Sequence, residues 1–216
     1  MRTKIKMVMG FLLQTTFGKM KIINNKIFLE TITGEAKDQV RAIYDYITKN
    51  HPNEFIFIWG LKKGVDEEGI NKKEIVYRKT LKYYYHLLTS KYWMKTHSVG
   101  TIVSKRDEQV YIQLWHGPGA TKKEGYDIKN KNINNINNKG QTMPHAKEWD
   151  FFVATDKFNK KYIRSALNLK IPIVTLGSCR TDNLINRDKS NYYDMRRELG
   201  IGENEIAILY APTFRE

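Results

Sequence analysis

Apolar runs in this sequence change period in a set order, and that order restricts the fold more than any other feature. Lys26-Ile-Phe-Leu-Glu30 is a short apolar run followed by a turn at Gly34, the pattern of a buried strand. Asp38 to Lys49 then carries Val40, Ile43, Tyr44 and Ile47 at helical spacing, with Asp38 placed to cap the helix. Pro52 stops it. Glu54-Phe-Ile-Phe-Ile-Trp59 is rich in the β-branched and aromatic residues of a strand. Strand, helix, strand predicts a βαβ unit and a parallel sheet.

The alternation continues. Ile75 to Tyr77 is predicted as a strand. Thr80 to Met94 is predicted as a helix with Leu81, Tyr84, Tyr85, Leu88 and Tyr92 near one side, an aromatic stripe that reads as core. Ser98 to Val103 and Val110 to Trp115 are predicted strands, and Asp127 to Lys139 is an Asn- and Lys-rich loop. Trp149 to Ala154 is a strand, Asp156 to Leu167 a helix capped by Asp156, and Ile171 to Leu176 a strand. Asn191 to Leu199 is a helix closed by Gly200. Glu205 to Tyr210 reads as one more strand with no helix after it, and is expected to open a second α/β domain. The expected organisation is a lead-in helix over residues 1–25, a Rossmann-like domain over 26–190, and a linker helix with the first strand of a truncated second domain over 191–216.

Charge narrows the partners. Lys and Arg number 37 against 23 Asp and Glu, a net charge of +14. Such a surface attracts polyanions: nucleic acid, anionic lipid, phosphate-bearing polymers and nucleotide-activated substrates. Charge does not choose among these, but no nucleic-acid-binding motif is present, so no nucleic acid is expected. The single cysteine, Cys179, excludes an intramolecular disulfide and a multi-cysteine metal site. At the N-terminus, Met7-Val-Met-Gly-Phe-Leu-Leu13 is flanked by Arg2, Lys4, Lys6, Lys19 and Lys21. The run falls far short of the roughly 20 residues that span a bilayer. It reads as an amphipathic helix, either resting on an anionic membrane surface or packed on the domain.

The sharpest local feature is Gln113-Leu-Trp-His-Gly-Pro-Gly119, where a strand ends in a histidine and turns at once into a glycine loop. In open α/β sheets the functional crevice lies beyond the carboxyl ends of the strands. His116 there can act as a general base near neutral pH. Gly117 and Gly119 let backbone N–H groups approach a phosphate, and Lys122 and Lys123 add counter-charge. The other histidines stand apart: His51 in a turn before Pro52, His86 and His97 on or just after a helix, His145 after Pro144. None has metal-ligand spacing with another His, Asp or Glu, so no protein-held metal is expected.

Several segments, in order, resemble one family. These are Lys26 to Gly34 with Arg41-Ala-Ile-Tyr-Asp-Tyr46; Leu81 to Leu88 with Lys91-Tyr-Trp93; and Tyr111-Ile-Gln-Leu-Trp-His-Gly117 with Lys122-Lys123 and Gly125-Tyr-Asp127. Trp149-Asp150 through Phe158, Gly177-Ser-Cys-Arg-Thr-Asp182 with Leu184, and Ile208-Leu-Tyr-Ala-Pro-Thr-Phe-Arg215 complete the set. The ordered set resembles the CDP-glycerol glycerophosphotransferases, the teichoic acid polymerase family, from about Lys26 to the last residue. The resemblance implies a GT-B-like fold of two Rossmann-like domains and peripheral attachment to the cytoplasmic face of the cell membrane. It implies attack by a lipid-linked glycerol-phosphate polymer on CDP-glycerol with release of CMP. His116 matches the histidine taken as catalytic base. Gly34, Trp115, Gly117, Gly119, Lys122, Lys123, Arg180 and Asp182 fall at substrate-binding positions, Arg180 and Asp182 also suiting a turn-stabilising ion pair. A second catalytic histidine and most donor contacts belong to the family's C-terminal domain, so this chain is expected to be inactive alone. Two departures stand out. Pro118-Gly-Ala-Thr-Lys122 replaces the common Thr-Pro-Leu-Lys and leaves CDP-ribitol open as the donor; Ser178-Cys179 replaces a hydrophobic-Pro pair.

Overall fold

The computed structural model describes residues 2–65, 68–97, 102–117, 127, 146–185 and 189–212. The chain divides into two compact units, residues 1–180 and 181–216.

The first unit is built on seven strands: β1 (Ile23–Glu30), β2 (Ile56–Leu61), β3 (Ile75–Tyr77), β4 (Ser90–Lys95), β5 (Val110–Gln113), β6 (Phe151–Ala154) and β7 (Ile173–Thr175). They form one sheet in the order β3-β2-β1-β4-β5-β6-β7, and every pairing is parallel. The chain adds β2 and β3 on one side of β1, then returns to place β4 on its other side. The point of reversal therefore lies between β1 and β4.

Helices cover both faces, as a parallel sheet requires. Phe28 of β1 points to the face where α1 (Arg2–Phe17), α3 (Leu81–Thr89) and α4 (Lys157–Ala166) bury Leu13, Leu87 and Ile163 against Trp93, Tyr111 and Phe152. Its neighbours Ile27 and Leu29 point the other way, onto Val40 and Tyr44 of α2 (Asp38–Asn50) and onto Trp59. Thr80 caps α3 by accepting the Tyr83 N–H at 3.2 Å. Asp156 caps α4, as expected, by accepting the Asn159 N–H at 2.7 Å. Asp38 does not cap α2: its side chain makes no capping bond, and its carboxylate takes Arg180 instead, at 3.0 Å.

The helix expected across residues 80–94 is overturned. The helix predicted over Thr80 to Met94 ends at Thr89, and Ser90–Lys95 is β4, the strand beside β1. The Thr89 and Ser90 hydroxyls donate to the Tyr85 and His86 carbonyls, each at 2.7 Å. Ser90 itself is extended, so these side chains satisfy last-turn carbonyls that would otherwise be orphaned. Leu81, expected in the core, is exposed, whereas Tyr83 and Leu87 are buried. Of the strand predicted at Ser98 to Val103, residues 98–101 lie outside the described residues and 102–103 form a bend.

The second unit contains α5 (Asp182–Ile185) and α6 (Lys189–Glu198). Gly200 follows α6 at φ +67°, and Ile201 N–H donates to the Arg196 carbonyl at 2.8 Å, the left-handed stop expected from the sequence. The strand predicted at Glu205 to Tyr210 is not formed. Ile206, Ile208, Leu209 and Tyr210 are all strongly exposed. A strand exists through its ladder, and among the described residues this segment has none.

Candidate active site

In a doubly wound sheet the crevice opens at the carboxyl edge where strand order reverses. Here that edge is made by the ends of β1 and β4. Thr96 N–H donates to the Glu30 carbonyl at 3.2 Å, and Ile32 N–H donates to Thr96 Oγ1 at 3.0 Å, so the two strand exits are tied together.

Three charges meet there. Glu30, the last residue of β1, is fully buried with Lys95, the last residue of β4, 3.0 Å away and Arg78, just past β3, 2.7 Å away. The Tyr83 hydroxyl donates to the same carboxylate at 3.1 Å. Burial works to raise the Glu30 pKa, but Lys95, Arg78 and His97 together hold it below the ordinary carboxylate value. Burial first, then the Glu30 charge, pushes Tyr83 well up. The cluster is thus an ionised carboxylate beneath two cations, net positive. Gly34 sits against it at φ +79°, where an added Cβ would lie 2.7 Å from Lys62 Cγ and 3.1 Å from an Arg78 nitrogen.

The next strand exit carries the histidine. Lys95 is level with Gln113 across β4 and β5, so His97 and Trp115-His116 leave the sheet side by side. Trp115 is buried at φ +60°, a conformation rarely adopted by an aromatic residue and one that concentrates at functional sites. Its carbonyl and that of Leu114 accept from Gln39 Nε2 at 3.4 Å and 2.9 Å, and its N–H donates to Gln113 Oε1 at 3.0 Å. His116 is exposed and stacks on the Trp115 ring, centroids 4.6 Å apart. Nothing lies within 4 Å of an added Cβ at Gly117. The strained tryptophan therefore turns the chain so that the next side chain faces solvent.

Gly34, Trp115, His116 and Gly117 are brought to one edge of the sheet. Gly119, Lys122 and Lys123 lie outside the described residues. Arg180 pairs with Asp38 at the start of α2; Asp182 begins α5 in the second unit. Glu30, Arg78, Lys95 and His97 are not singled out by the sequence. His97 is set aside there as a residue following a helix, because β4 is hidden inside the predicted helix. Among the described residues no three His, Cys, Asp or Glu side chains converge as metal ligands.

Residues 12–216 match the profile of the CDP-Glycerol:Poly(glycerophosphate) glycerophosphotransferase family. The chain belongs to this family. It is 27% identical over 190 residues to the teichoic acid poly(glycerol phosphate) polymerase of Staphylococcus epidermidis, covering 83% of this chain and 25% of that protein. The polymerase of the same description from Bacillus spizizenii is 26% identical over 183 residues, covering 82% of this chain and 46% of its own length. A teichoic acid ribitol-phosphate primase from the same organism is 31% identical over 120 residues, covering 53% of this chain and 30% of that one. The structure of a histidine-to-asparagine variant of the wall teichoic acid polymerase TagF with CDPG superposes at a TM-score of 0.78 and 25% identity, covering 100% of this chain and 56% of that one. This glycerophosphotransferase-family chain thus spans between about a quarter and somewhat over half of the relatives it matches.

Proposed function

We propose that the carboxyl edge of the sheet is the acceptor side of a glycerophosphotransferase, binding the hydroxyl end of a lipid-linked glycerol-phosphate polymer. The acceptor oxygen attacks the glycerol-bearing phosphorus of CDP-glycerol, the bond from that phosphorus to the bridging oxygen breaks so that CMP leaves, and His116 takes the hydroxyl proton. The observation that carries this reading is the exposed His116, held over the strand ends by a strained, buried Trp115. The net-positive cluster of Glu30, Lys95 and Arg78 behind it suits a phosphate-bearing acceptor.

Phosphoryl transfer needs donor positioning and charge stabilisation as well as a base. We assign those to residues outside this chain, since its relatives are longer. Incubation with CDP-glycerol and a lipid-linked acceptor, following CMP, tests this: the chain alone should release none above background. Robust release would overturn the division of labour. A parallel arm with CDP-ribitol addresses the donor, because one relative is a ribitol-phosphate primase. The net charge of +14 also suits a second reading, a non-catalytic module that binds anionic polymer or the membrane surface. Acceptor binding that survives His116→Ala, while the matching change in a full-length relative abolishes activity, would favour that reading for this chain.

Attachment to the cytoplasmic face of the membrane is part of the same proposal. No helix among the described residues is long and apolar enough to cross a membrane. However, Ile5, Met7, Val8, Phe11 and Leu12 of α1 are all more than half exposed, and Lys4, Lys6, Lys19 and Lys21 flank them. An apolar helix face with a basic margin suits an anionic lipid surface. Flotation with anionic vesicles should carry the chain up, and with zwitterionic vesicles it should not.

A further inference from the structure

His97 leaves β4 at the level where Trp115 leaves β5, with Lys95 opposite Gln113. The Tyr111 hydroxyl donates to its backbone carbonyl at 3.1 Å, which anchors it. The side chain is 3% exposed, yet neither ring nitrogen has a hydrogen-bond partner among the described residues. Gln113 Nε2, on the adjoining strand, is equally bare and buried. Buried polar atoms left bare are destabilising, so three such nitrogens on two residues at one strand edge point to a role beyond packing.

The groups facing His97 come from four elements: Glu30 from β1, Arg78 from the turn after β3, Lys95 from β4, and His116 from the exit of β5. Burial pushes the His97 imidazole down to about 4; Glu30 opposes this, and Lys95, Arg78 and His116 reinforce it. His97 is therefore neutral near pH 7. A neutral imidazole keeps one nitrogen as an acceptor.

We propose that His97 is a positioning residue for His116. When His116 has taken up the acceptor proton, one of its N–H groups donates to the bare nitrogen of His97, directly or through one bridging water. The proton stays on His116, and His97 orients the ring and stabilises its charged form. This rests on the reading of His116 as the proton acceptor and extends it to a residue from the neighbouring strand.

The test is a pH titration of the 216-residue chain labelled with 15N-histidine, reading the ring nitrogens by NMR. His97→Asn and His116→Gln assign the signals. His97 should remain neutral down to about pH 5 while its ring shifts follow the midpoint of His116. That response should vanish in His116→Gln. His97→Leu should lower the His116 midpoint by about half a pH unit or more, and His97→Asn, which keeps an acceptor, should restore most of it. A flat His97 signal through the titration of His116, or an unchanged His116 midpoint in both variants, would overturn the proposal. If His97→Leu fails to fold, the wild-type response decides. Acceptor binding is measured on the same sample. Coupling without binding overturns the acceptor reading, and binding without coupling overturns this one alone.

Discussion

Glu30 holds two cations with one buried carboxylate, and breaking such a cluster by removing one partner leaves uncompensated charge. Glu30→Gln keeps the shape and leaves Lys95 and Arg78 facing each other. Denaturant melts at pH 7 should show a loss of about 3–5 kcal/mol. The pH sign follows from the lowered pKa. The stabilisation is fully present above the ordinary value of 4.5 and is lost as pH falls through the folded value. Acidification in that window should destabilise the wild type more than the variant. Lys26 is the opposite case. It is 1% exposed, its Nζ donates to Thr89 Oγ1 at 2.6 Å, and burial pushes its pKa down to about 8. The charged form is penalised fully below that value, and the penalty fades as pH rises towards 10.5. Lys26→Met should therefore raise the thermal midpoint at pH 7 by about 2–4 °C, with a smaller gain near pH 10. His116 is singled out by the sequence because an apolar strand runs directly into a histidine and a glycine, and the structure places it exposed at the strand exits. Glu30 is not singled out, because a charge closing a strand reads equally well as a solvated end, and only the partners from β3 and β4 show otherwise.

Among the elements, β4 is the instructive one. Tyr84, Tyr85, Leu88 and Tyr92 keep helical spacing across the real boundary at Thr89, so periodicity runs the helix into the strand. The hydroxyls of Thr89 and Ser90, which satisfy the last-turn carbonyls, mark that boundary. Missing it removes the centre of the sheet and with it Lys95 and His97. The capping of α4 by Asp156 is legible for the opposite reason, since a cap is a local bond that needs no partner from elsewhere. The first helix makes a testable case of its own. Leu13 and Phe17 face the domain, Phe17 against the Tyr85 ring, while Phe11 and Leu12 face outwards. Phe11→Ser with Leu12→Ser should leave the thermal midpoint nearly unchanged and abolish flotation with anionic vesicles. Flotation as strong as wild type would move the lipid contact off α1.

At the scale of the molecule, the first unit is a doubly wound parallel sheet, and its order alone predicts where a ligand can reach it. The βαβ alternation made the parallel sheet legible. The reversal between β1 and β4 was not, because it depends on recognising β4. On the proposed reading, the acceptor binds at the carboxyl edge beside that reversal. Titrating an oligo(glycerol phosphate) into the 15N-labelled chain and mapping backbone amide shifts tests it most directly. Changes should concentrate at Glu30, Gly34, Thr96, His97 and Trp115 to Gly117. Binding that instead perturbs the amino edge, at Ser90 and Gln109, and leaves these residues unmoved would contradict it.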